Sequence, residues 1–215
     1  MAAAALTIRR GTRRDVPTIL ALVRGLAEYE RLLHECVATP AKLRRDGFGR
    51  RPYFQTLICR RRGRPVGFAL YFFTYSTFLA RPTLYLEDLF VLPAERGRGA
   101  GLALLRALAR LAVRRGCGRM EWTVLDWNTP ARRFYRALGA GFRTEWVLTR
   151  LTGVPLARLA GRATRRPPAR PARARSPRSS PRRTPTAAGS PRRRRRRAPA
   201  RARGSRAASR SPRRA

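Results

Sequence analysis

Residues 84–101 read Leu84-Tyr85-Leu86-Glu87-Asp88-Leu89-Phe90-Val91-Leu92-Pro93-Ala94-Glu95-Arg96-Gly97-Arg98-Gly99-Ala100-Gly101, and this stretch decides the fold. Its apolar first half predicts a buried strand, and its glycine-rich second half predicts a turn that opens a helix from about Leu102 to Arg115. The first N–H groups of a helix lack helical acceptors and carry partial positive charge. Three glycines let this main chain approach a bulky anion, and Arg96 and Arg98 add charge. The turn is therefore a candidate phosphate or pyrophosphate site, although glycines also form turns that bind nothing.

The hydrophobic periodicity predicts an α/β fold around this stretch. We expect further strands at residues 6–9, 53–59, 65–77, 119–126 and 142–150, and further helices at residues 13–33, 40–47, 129–138 and 152–160. The strand–helix alternation after residue 84 implies right-handed crossovers and a central mixed, partly parallel sheet flanked by helices. Ligands of such sheets bind at the carboxyl ends of the strands, so the turns at residues 97–101 and 126–128 should border one cleft.

The positive charge of the chain, +39 in total, is unevenly distributed. Residues 162–215 contain 21 arginines and 9 of the 17 prolines, with no acidic and no aromatic residue. Such a composition cannot offset the conformational entropy of ordering, roughly 1–2 kcal/mol per residue for the backbone alone. We therefore predict a folded domain over residues 1–161 and a disordered Arg/Pro/Ala/Ser-rich basic tail over residues 162–215.

Two interpretations of this tail stay open. Six consecutive arginines occupy residues 192–197, and Ser-Pro-Arg repeats begin at residues 176, 180, 190 and 211. The repeats resemble those of linker-histone and protamine-like tails, and a flexible polycation binds nucleic acid non-specifically by counterion release. Translation of G+C-rich DNA in a shifted frame yields the same mixture of residues. The tail is therefore a nucleic-acid tether or an accidental or neutral extension, with another role as the remaining alternative.

Cysteine, histidine and apolar content argue against several classes of protein. Cys36, Cys59 and Cys117 form no CxxC pair and His34 is the only histidine, so we expect no metal site. Scattered cysteines without a secretory signal are typical of the reducing cytoplasm. The most apolar run, residues 66–73, is far shorter than a membrane span. We expect a soluble cytoplasmic protein.

The turn motif Arg96-x-x-Gly99-x-Gly101 resembles motif A of the GNAT superfamily of acyl-CoA-dependent N-acyltransferases. Four other blocks resemble its diamine (spermidine/spermine) and thialysine acetyltransferase branch. These blocks are Leu-Ala-Glu-Tyr-Glu at 26–30, Asp-Gly-Phe-Gly at 46–49, Tyr-Leu-Glu-Asp at 85–88 and Leu-Asp-Trp-Asn at 125–128. The resemblance extends over about residues 7–160, and its blocks occur in the order of the family.

This resemblance implies a GNAT-type fold and an N-acetyltransferase that moves acetyl from acetyl-CoA to a primary amine. The implied acceptor is a small cation, such as a polyamine or an amino-acid-like amine, that attacks directly in a ternary complex. A homodimer is also implied. Acetylation of a protein or peptide amine is an alternative, and a nucleic-acid-binding protein acting through the tail is an alternative of a different class. Several of the eleven acids fall in the motif blocks, where they would attract a cationic amine.

Glu87 and Asp88 interrupt an otherwise apolar strand. Neighbouring strand residues point to opposite faces, so both cannot face solvent in a sheet covered on both sides. A buried carboxylate without a partner tends to have a raised pKa. An ion pair with an arginine is the structural alternative for Asp88. The resemblance implies that Glu87 binds the acceptor ammonium and helps to remove its proton through water.

The resemblance also implies the remaining site residues. Tyr135, which could equally be a core aromatic of its helix, would donate a proton to the leaving coenzyme A thiolate. Tyr29, Asp88 and Glu145 would join Glu87 on the acceptor side, although the region of Glu145 is shorter than in the family. Backbone groups of Leu89, Phe90 and Val91 would bind the pantetheine arm in a split of the sheet. The remaining coenzyme contacts would come from Arg96, Gly97, Arg98, Gly99, Ala100, Gly101 and Leu102, and from Asn128, Thr129, Pro130 and Ala131.

Overall fold

The computed structural model describes residues 5–162, which divide into two compact units at Trp146 and Val147. Most of the predicted basic tail lies outside the described residues. The strands of the first unit are β1 (Leu6–Arg10), β2 (Gln55–Arg61), β3 (Arg64–Ser76), β4 (Arg81–Val91) and β5 (Arg119–Glu121). Its helices are α1 (Val16–Tyr29), α2 (Pro40–Phe48), α3 (Ala100–Arg114) and α4 (Thr129–Ala137), and the second unit contains α5 (Gly153–Leu159).

The five strands form a single mixed sheet in the order β1-β2-β3-β4-β5. The first four are antiparallel, and β5 is parallel to β4. The parallel pair is connected through α3, which packs back on the sheet. This arrangement confirms the predicted α/β fold with a mixed, partly parallel sheet flanked by helices.

Helices cover both faces of the sheet. On one face, Leu104 and Leu108 of α3 pack with Leu84, Leu86 and the rest of a large core cluster that also includes Tyr135 of α4. On the other face, the buried residues of α1 and α2 pack on β2, β3 and β4 in two smaller clusters. Covering both faces leaves the open edges of the sheet as the places where a ligand can reach its main chain.

Several predicted element bounds differ from the structure for local reasons. Helix α1 ends at Tyr29, not at residue 33, because Arg31 has a left-handed φ of 63°. Helix α3 begins at Ala100, two residues earlier than predicted, because Gly99 adopts φ 84° as its N-cap. Strand β5 ends at Glu121 instead of residue 126.

The predicted last strand, residues 142–150, is wrong: these residues form no strand. Trp146, Val147 and Leu148 are exposed. A strand needs a hydrogen-bonded neighbour, and β5 offers an edge of only three residues. The apolar pattern of the segment therefore predicted a strand that has no partner here.

No helix among residues 5–162 is both long and apolar enough to cross a membrane.

A buried carboxylate joins β1 to the start of α1. Asp15 accepts hydrogen bonds from the Thr12 backbone N–H at 2.8 Å and the Thr12 hydroxyl at 2.7 Å, and Arg9 Nη1 lies 2.8 Å from its Oδ2. The Arg9 hydrogen bond is the main reason that the pKa of Asp15 lies well below its ordinary value. Thr12 is the N-cap of the short 3₁₀ helix Arg13–Asp15 that precedes α1, so this cap, the strand and the helix share one anion.

We expect Asp15→Asn to reduce the free energy of unfolding by about 1–3 kcal/mol at pH 7, because it weakens several hydrogen bonds to a buried charge. A carboxyl with a lowered folded pKa stabilises the fold above its unfolded pKa and loses this effect as the pH falls. The difference from wild type should therefore shrink below about pH 4 in urea titrations. Asp46→Asn is the control, because Asp46 pairs with Arg45 at the surface and should matter little. Equal effects of the two substitutions would contradict the assignment.

Candidate active site

The sheet opens between β4 and β5. The two strands pair only from Thr83 and Arg119 to Tyr85 and Glu121, while β4 continues to Val91. Within the described residues, the β4 main chain beyond Tyr85 therefore has no strand partner on its β5 side. Leu89, Phe90 and Val91, the predicted pantetheine contacts, lie on this open section. An extended ligand with amide groups could pair there as an additional strand.

A β-bulge at Glu87 shapes the same section of β4. Leu70 of β3 pairs with Asp88 and Tyr71 pairs with Leu86, so Glu87 is the extra residue. The extra residue shifts the alternation of side chains by one position. Leu86 packs in the α3-side cluster, whereas Phe90, four positions later, packs on the α1 side with Leu22. The bulge thus changes the orientation of the strand next to both acidic residues.

Three carboxylates gather near this bulge. Burial, and then the negative charges of Glu87 and Glu30, raise the pKa of Asp88 to about 7. Burial also raises the pKa of Glu30, which lies just beyond the end of α1. Glu87 itself is exposed. No arginine of the described residues pairs with Asp88, so the structure does not support the ion-pair alternative, and the raised-pKa carboxyl next to the cleft is that of Asp88.

Aromatic side chains form the wall beside this cleft. The Tyr29 ring lies 5.9 Å from the Trp127 ring, and its hydroxyl donates to Asn128 Oδ1 at 3.2 Å. The guanidinium of Arg96 lies 4.1 Å from the Tyr29 ring centroid, and its Nε donates to the Val91 carbonyl at 3.1 Å. The end of α1, the turn before α3 and the turn before α4 therefore meet at Tyr29.

The glycine-rich turn has the geometry that an anion site needs. Gly97 and Gly99 adopt φ values of 70° and 84°, which other residues rarely adopt. Ala100, Gly101 and Leu102 then form the first turn of α3, where N–H groups have no helical acceptor. The Arg98 side chain is largely exposed and lies 3.8 Å from Glu95, so it can turn toward an anion, whereas Arg96 packs on Tyr29.

Arg61, at the end of β2, holds this turn in place. Its Nε donates to Glu95 Oε2 at 2.8 Å, and its Nη2 donates to the Arg98 carbonyl at 2.8 Å. Both side chains of the ion pair are mostly buried. From the sequence, Arg61 lies only in the segment between the predicted strands 53–59 and 65–77, because nothing in the local pattern indicates a partner 34 residues away.

Asn128 and Tyr135 occupy the predicted positions on α4. Asn128 is the N-cap of the helix, and its Oδ1 accepts from the Ala131 N–H at 3.3 Å as well as from Tyr29. Thr129 and Pro130 form the first helical positions. Tyr135 is buried in the core with its ring 5.1 Å from Trp122. Burial, and secondarily the charge of Glu30, raise the pKa of Tyr135 to about 12, so it keeps its proton at neutral pH.

The structure does not bring every predicted residue into this cluster. Glu145 is exposed, and its carboxylate pairs with Arg143 at 3.3 Å. Glu28 is exposed near the end of α1. Glu30, in contrast, contributes to the acidic cluster, and Trp127 contributes to the aromatic wall. Both residues belong to the motif blocks of the sequence, but the spacing of the blocks did not assign them to the site. Among residues 5–162, no three His, Cys, Asp or Glu side chains form a group that could hold a metal ion.

Comparisons with known proteins agree with this architecture. The family model described as acetyltransferase (GNAT) family matches residues 22–140. The chain is 38% identical over 170 residues to thialysine N-epsilon-acetyltransferase of Mus musculus. This alignment covers 74% of the chain and 99% of that protein. It is 35% identical to L-ornithine N5-acetyltransferase of Arabidopsis thaliana, over 68% of the chain and 84% of that protein. An integron cassette protein from the mobile metagenome of V. cholerae superposes with a TM-score of 0.62 at 26% identity, covering 72% of this chain and 97% of its own.

We expect Asp88→Asn to stabilise the protein increasingly as the pH rises. Below about pH 4 the Asp88 carboxyl is protonated in both the folded and unfolded states, so the variant and wild type should differ little. Between about pH 4 and 7 the unfolded wild type releases this proton, whereas the folded wild type retains it. The free energy of unfolding of the wild type therefore falls relative to that of the variant, by at most about 4 kcal/mol. Urea titrations at pH 4.5 and 8 measure the change. Glu28→Gln, at an exposed acid, is the control, and a constant difference between wild type and Asp88→Asn would contradict the raised pKa.

Proposed function

Because the chain belongs to the GNAT family of acetyltransferases, we propose that it moves the acetyl group of acetyl-CoA onto a primary amine. It is an N-acetyltransferase by family and by its named relatives. The proposed acceptor is a small cation, a polyamine or an amino-acid-like amine, and the amine attacks the thioester directly in a ternary complex.

The acidic cluster of Glu30, Glu87 and Asp88 is the observation that supports a cationic acceptor. The chain has only 11 acids against 50 basic residues, and three of them converge beside the open section of β4. Exposed Glu87 makes no ion pair within the described residues, so its carboxylate can meet an ammonium group. The names of the relatives, which mention thialysine and ornithine, point to the same class of acceptor.

The main chain around β4 and α3 supports binding of the acetyl donor. The open edge at Leu89, Phe90 and Val91 would pair with the amide-containing pantetheine arm. The turn from Gly97 to Leu102 would hold the pyrophosphate through backbone N–H groups, with Arg98 as an added charge. Asn128 to Ala131 would complete the site at the start of α4. Arg96 now donates to the Val91 carbonyl and would have to release it if the pantetheine arm needs that acceptor.

The proposed reaction requires three proton movements. The ammonium first loses one proton, so that the neutral nitrogen can form a bond to the thioester carbon. The carbon–sulfur bond then breaks, the nitrogen loses a second proton and the thiolate gains one, with one proton released overall. Glu87, through water, and Asp88, whose pKa is raised to about 7, are the candidate proton acceptors. Tyr135 keeps its proton at neutral pH and is the candidate donor to the thiolate.

Three further expectations stay predictions. The resemblance predicts a homodimer, and the sequence predicts a cytoplasmic location. Nucleic-acid binding by the basic tail concerns residues outside those that the structure describes.

A panel of polyamines, diamino acids and peptides assayed with acetyl-CoA tests the proposed acceptor class. Preference for peptides over all small amines would indicate a protein acceptor.

We expect Glu87→Gln to raise KM for cationic amines by about tenfold to a hundredfold, because a charged hydrogen bond contributes about 1.5–3 kcal/mol. The KM for acetyl-CoA should stay near that of the wild type. Steady-state kinetics with a diamine and with a primary amine of low pKa, which is uncharged at the assay pH, measure the change, which should be confined to the diamine. Glu28→Gln is the matched control, since it makes the same chemical change at an exposed position. Unchanged kinetics with the diamine would remove Glu87 from the acceptor site.

We expect Tyr135→Phe to lower kcat by about 10²–10⁴-fold, the range typical of a general acid. The ring remains to pack on Trp122, so calorimetry should show nearly unchanged affinity for acetyl-CoA. Tyr75→Phe, at an exposed tyrosine of β3, is the control. If Tyr135→Phe turns over at the wild-type rate, another group donates the proton.

A further inference from the structure

We propose that a groove between α3 and strands β1–β3 binds a compact ligand with several linked phosphate groups, such as a nucleoside triphosphate or an inorganic polyphosphate. This arginine groove is a second site, separate from the acetyl-donor cleft. The donor cleft is lined from β4, the turn at residues 97–102 and the start of α4, whereas the groove is lined from β1, β2, β3 and the part of α3 that begins at Ala103. The proposal therefore goes beyond acetyl transfer and does not depend on the identity of the amine.

The groove has the size and construction of a small-molecule site. Its cavity volume is about 640 Å³, within the range of about 300–1,000 Å³ that is usual for ligand pockets. Aliphatic side chains and the buried Tyr71 form its floor, and the Tyr71 hydroxyl donates to Gln55 Oε1 at 3.1 Å. Arginines form the rim. The full lining comprises Leu6, Ile8, Arg9, Arg10, Gln55, Leu57, Tyr71, Ala103, Arg106, Ala107, Arg110, Leu111, Arg114 and Arg115.

The positive charge of the groove is largely uncompensated. Six of the lining residues are arginines and none is acidic. Arg9 is neutralised by Asp15, and Arg115 lies over the Phe73 ring at 5.7 Å. Within residues 5–162, the side chains of Arg10, Arg106, Arg110 and Arg114 make no ion pair. Burial raises the pKa of Tyr71, while Arg10 and Arg115 oppose that rise, so their charges act on the floor of the groove.

The spacing of three arginines along α3 destabilises this helix when no ligand is bound. Arg106, Arg110 and Arg114 follow one another at intervals of four residues, so they form two like-charge pairs on one helix face. Such pairs destabilise a helix by about 0.2–0.5 kcal/mol each. Local rules of this kind are typically broken at functional sites. An anion in the groove would turn this repulsion into attraction.

The chemistry of the rim favours phosphate over other anions. Every charge is a guanidinium, whose planar fork binds phosphate oxygens in a bidentate manner. Successive arginines on the helix are separated by about 6 Å of rise, so an anion with several adjacent charges can contact more than one of them. A short chain of phosphates carries adjacent negative charges that match the row of guanidinium groups along the groove. The apolar floor can also accommodate a planar base.

The test measures binding of tripolyphosphate, ATP and orthophosphate by the full-length protein at physiological salt, with acetyl-CoA present at saturation to occupy the donor site. The groove variant is Arg106→Gln/Arg110→Gln. The control variant, Arg13→Gln/Arg14→Gln, removes the same charge from exposed residues before α1. All three proteins keep the basic tail, so its background contribution is the same in each.

We expect tripolyphosphate or ATP to bind the wild type and the control equally, and the groove variant at least tenfold more weakly, by calorimetry. Orthophosphate should bind poorly to all three. Hydrogen exchange should show ligand protection in β1 and in the second half of α3. Tighter binding of ATP than tripolyphosphate would identify a nucleotide, and the reverse an inorganic polyphosphate.

Equal weakening in the groove and control variants would overturn the proposal, because it would indicate non-specific charge attraction. Binding without protection of α3 would also overturn it, since that places the ligand outside the groove. A groove-dependent preference for single-stranded oligonucleotide over both triphosphates would reject the compact ligand. Arg106 and Arg110 are exposed, so the groove variant should fold, and a melting curve in low salt should show it at least as stable as wild type.

Discussion

Strand β4 has one residue more than its partner β3 at Glu87, and the rest of the site depends on this bulge. The even-numbered side chains of β4 up to Leu86 face α3. Beyond the bulge, the even-numbered Phe90 faces α1 instead. The shift occurs just past the point where β4 separates from β5, so the open main chain and the acidic side chains occur together. The bulge leaves Glu87 exposed, whereas Asp88 is buried enough to raise its pKa to about 7.

The opening in the sheet is bordered by turns that distant residues hold in place. Arg61 of β2 ties the turn before α3 through Glu95 and the Arg98 carbonyl. Asn128 ties the turn before α4 to Tyr29 of α1. Glycines with positive φ allow the backbone conformation of the turn before α3, but they do not determine its orientation. The long-range hydrogen bonds do so, because they connect the turn to the rigid sheet.

Two groups of like charge lie in different parts of the first unit. Three acids without an ion pair within residues 5–162, Glu30, Glu87 and Asp88, lie at the β4 bulge, where a cationic acceptor would be attracted. Four arginines without an ion pair in that range, Arg10, Arg106, Arg110 and Arg114, line the arginine groove. Keeping opposite charges apart leaves both sets without internal partners, so each is available to a ligand. A random scatter of 49 arginines and 11 acids would pair most of the acids, as happens at Asp15, Asp46 and Glu95.

The sequence by itself determined the fold class, the strand–turn–helix at residues 84–101 and the helix at Asn128, because periodicity, glycines and capping residues act over a few neighbouring positions. It did not reveal that residues 142–150 would form no strand, since a strand requires a partner that local pattern cannot show. Tertiary structure alone decided that Asp88 has the raised pKa near 7, that Glu30 joins it and that Arg61 braces the turn. Each depends on burial or on a contact between segments far apart in the chain, and such contacts exist only once the sheet and helices have packed.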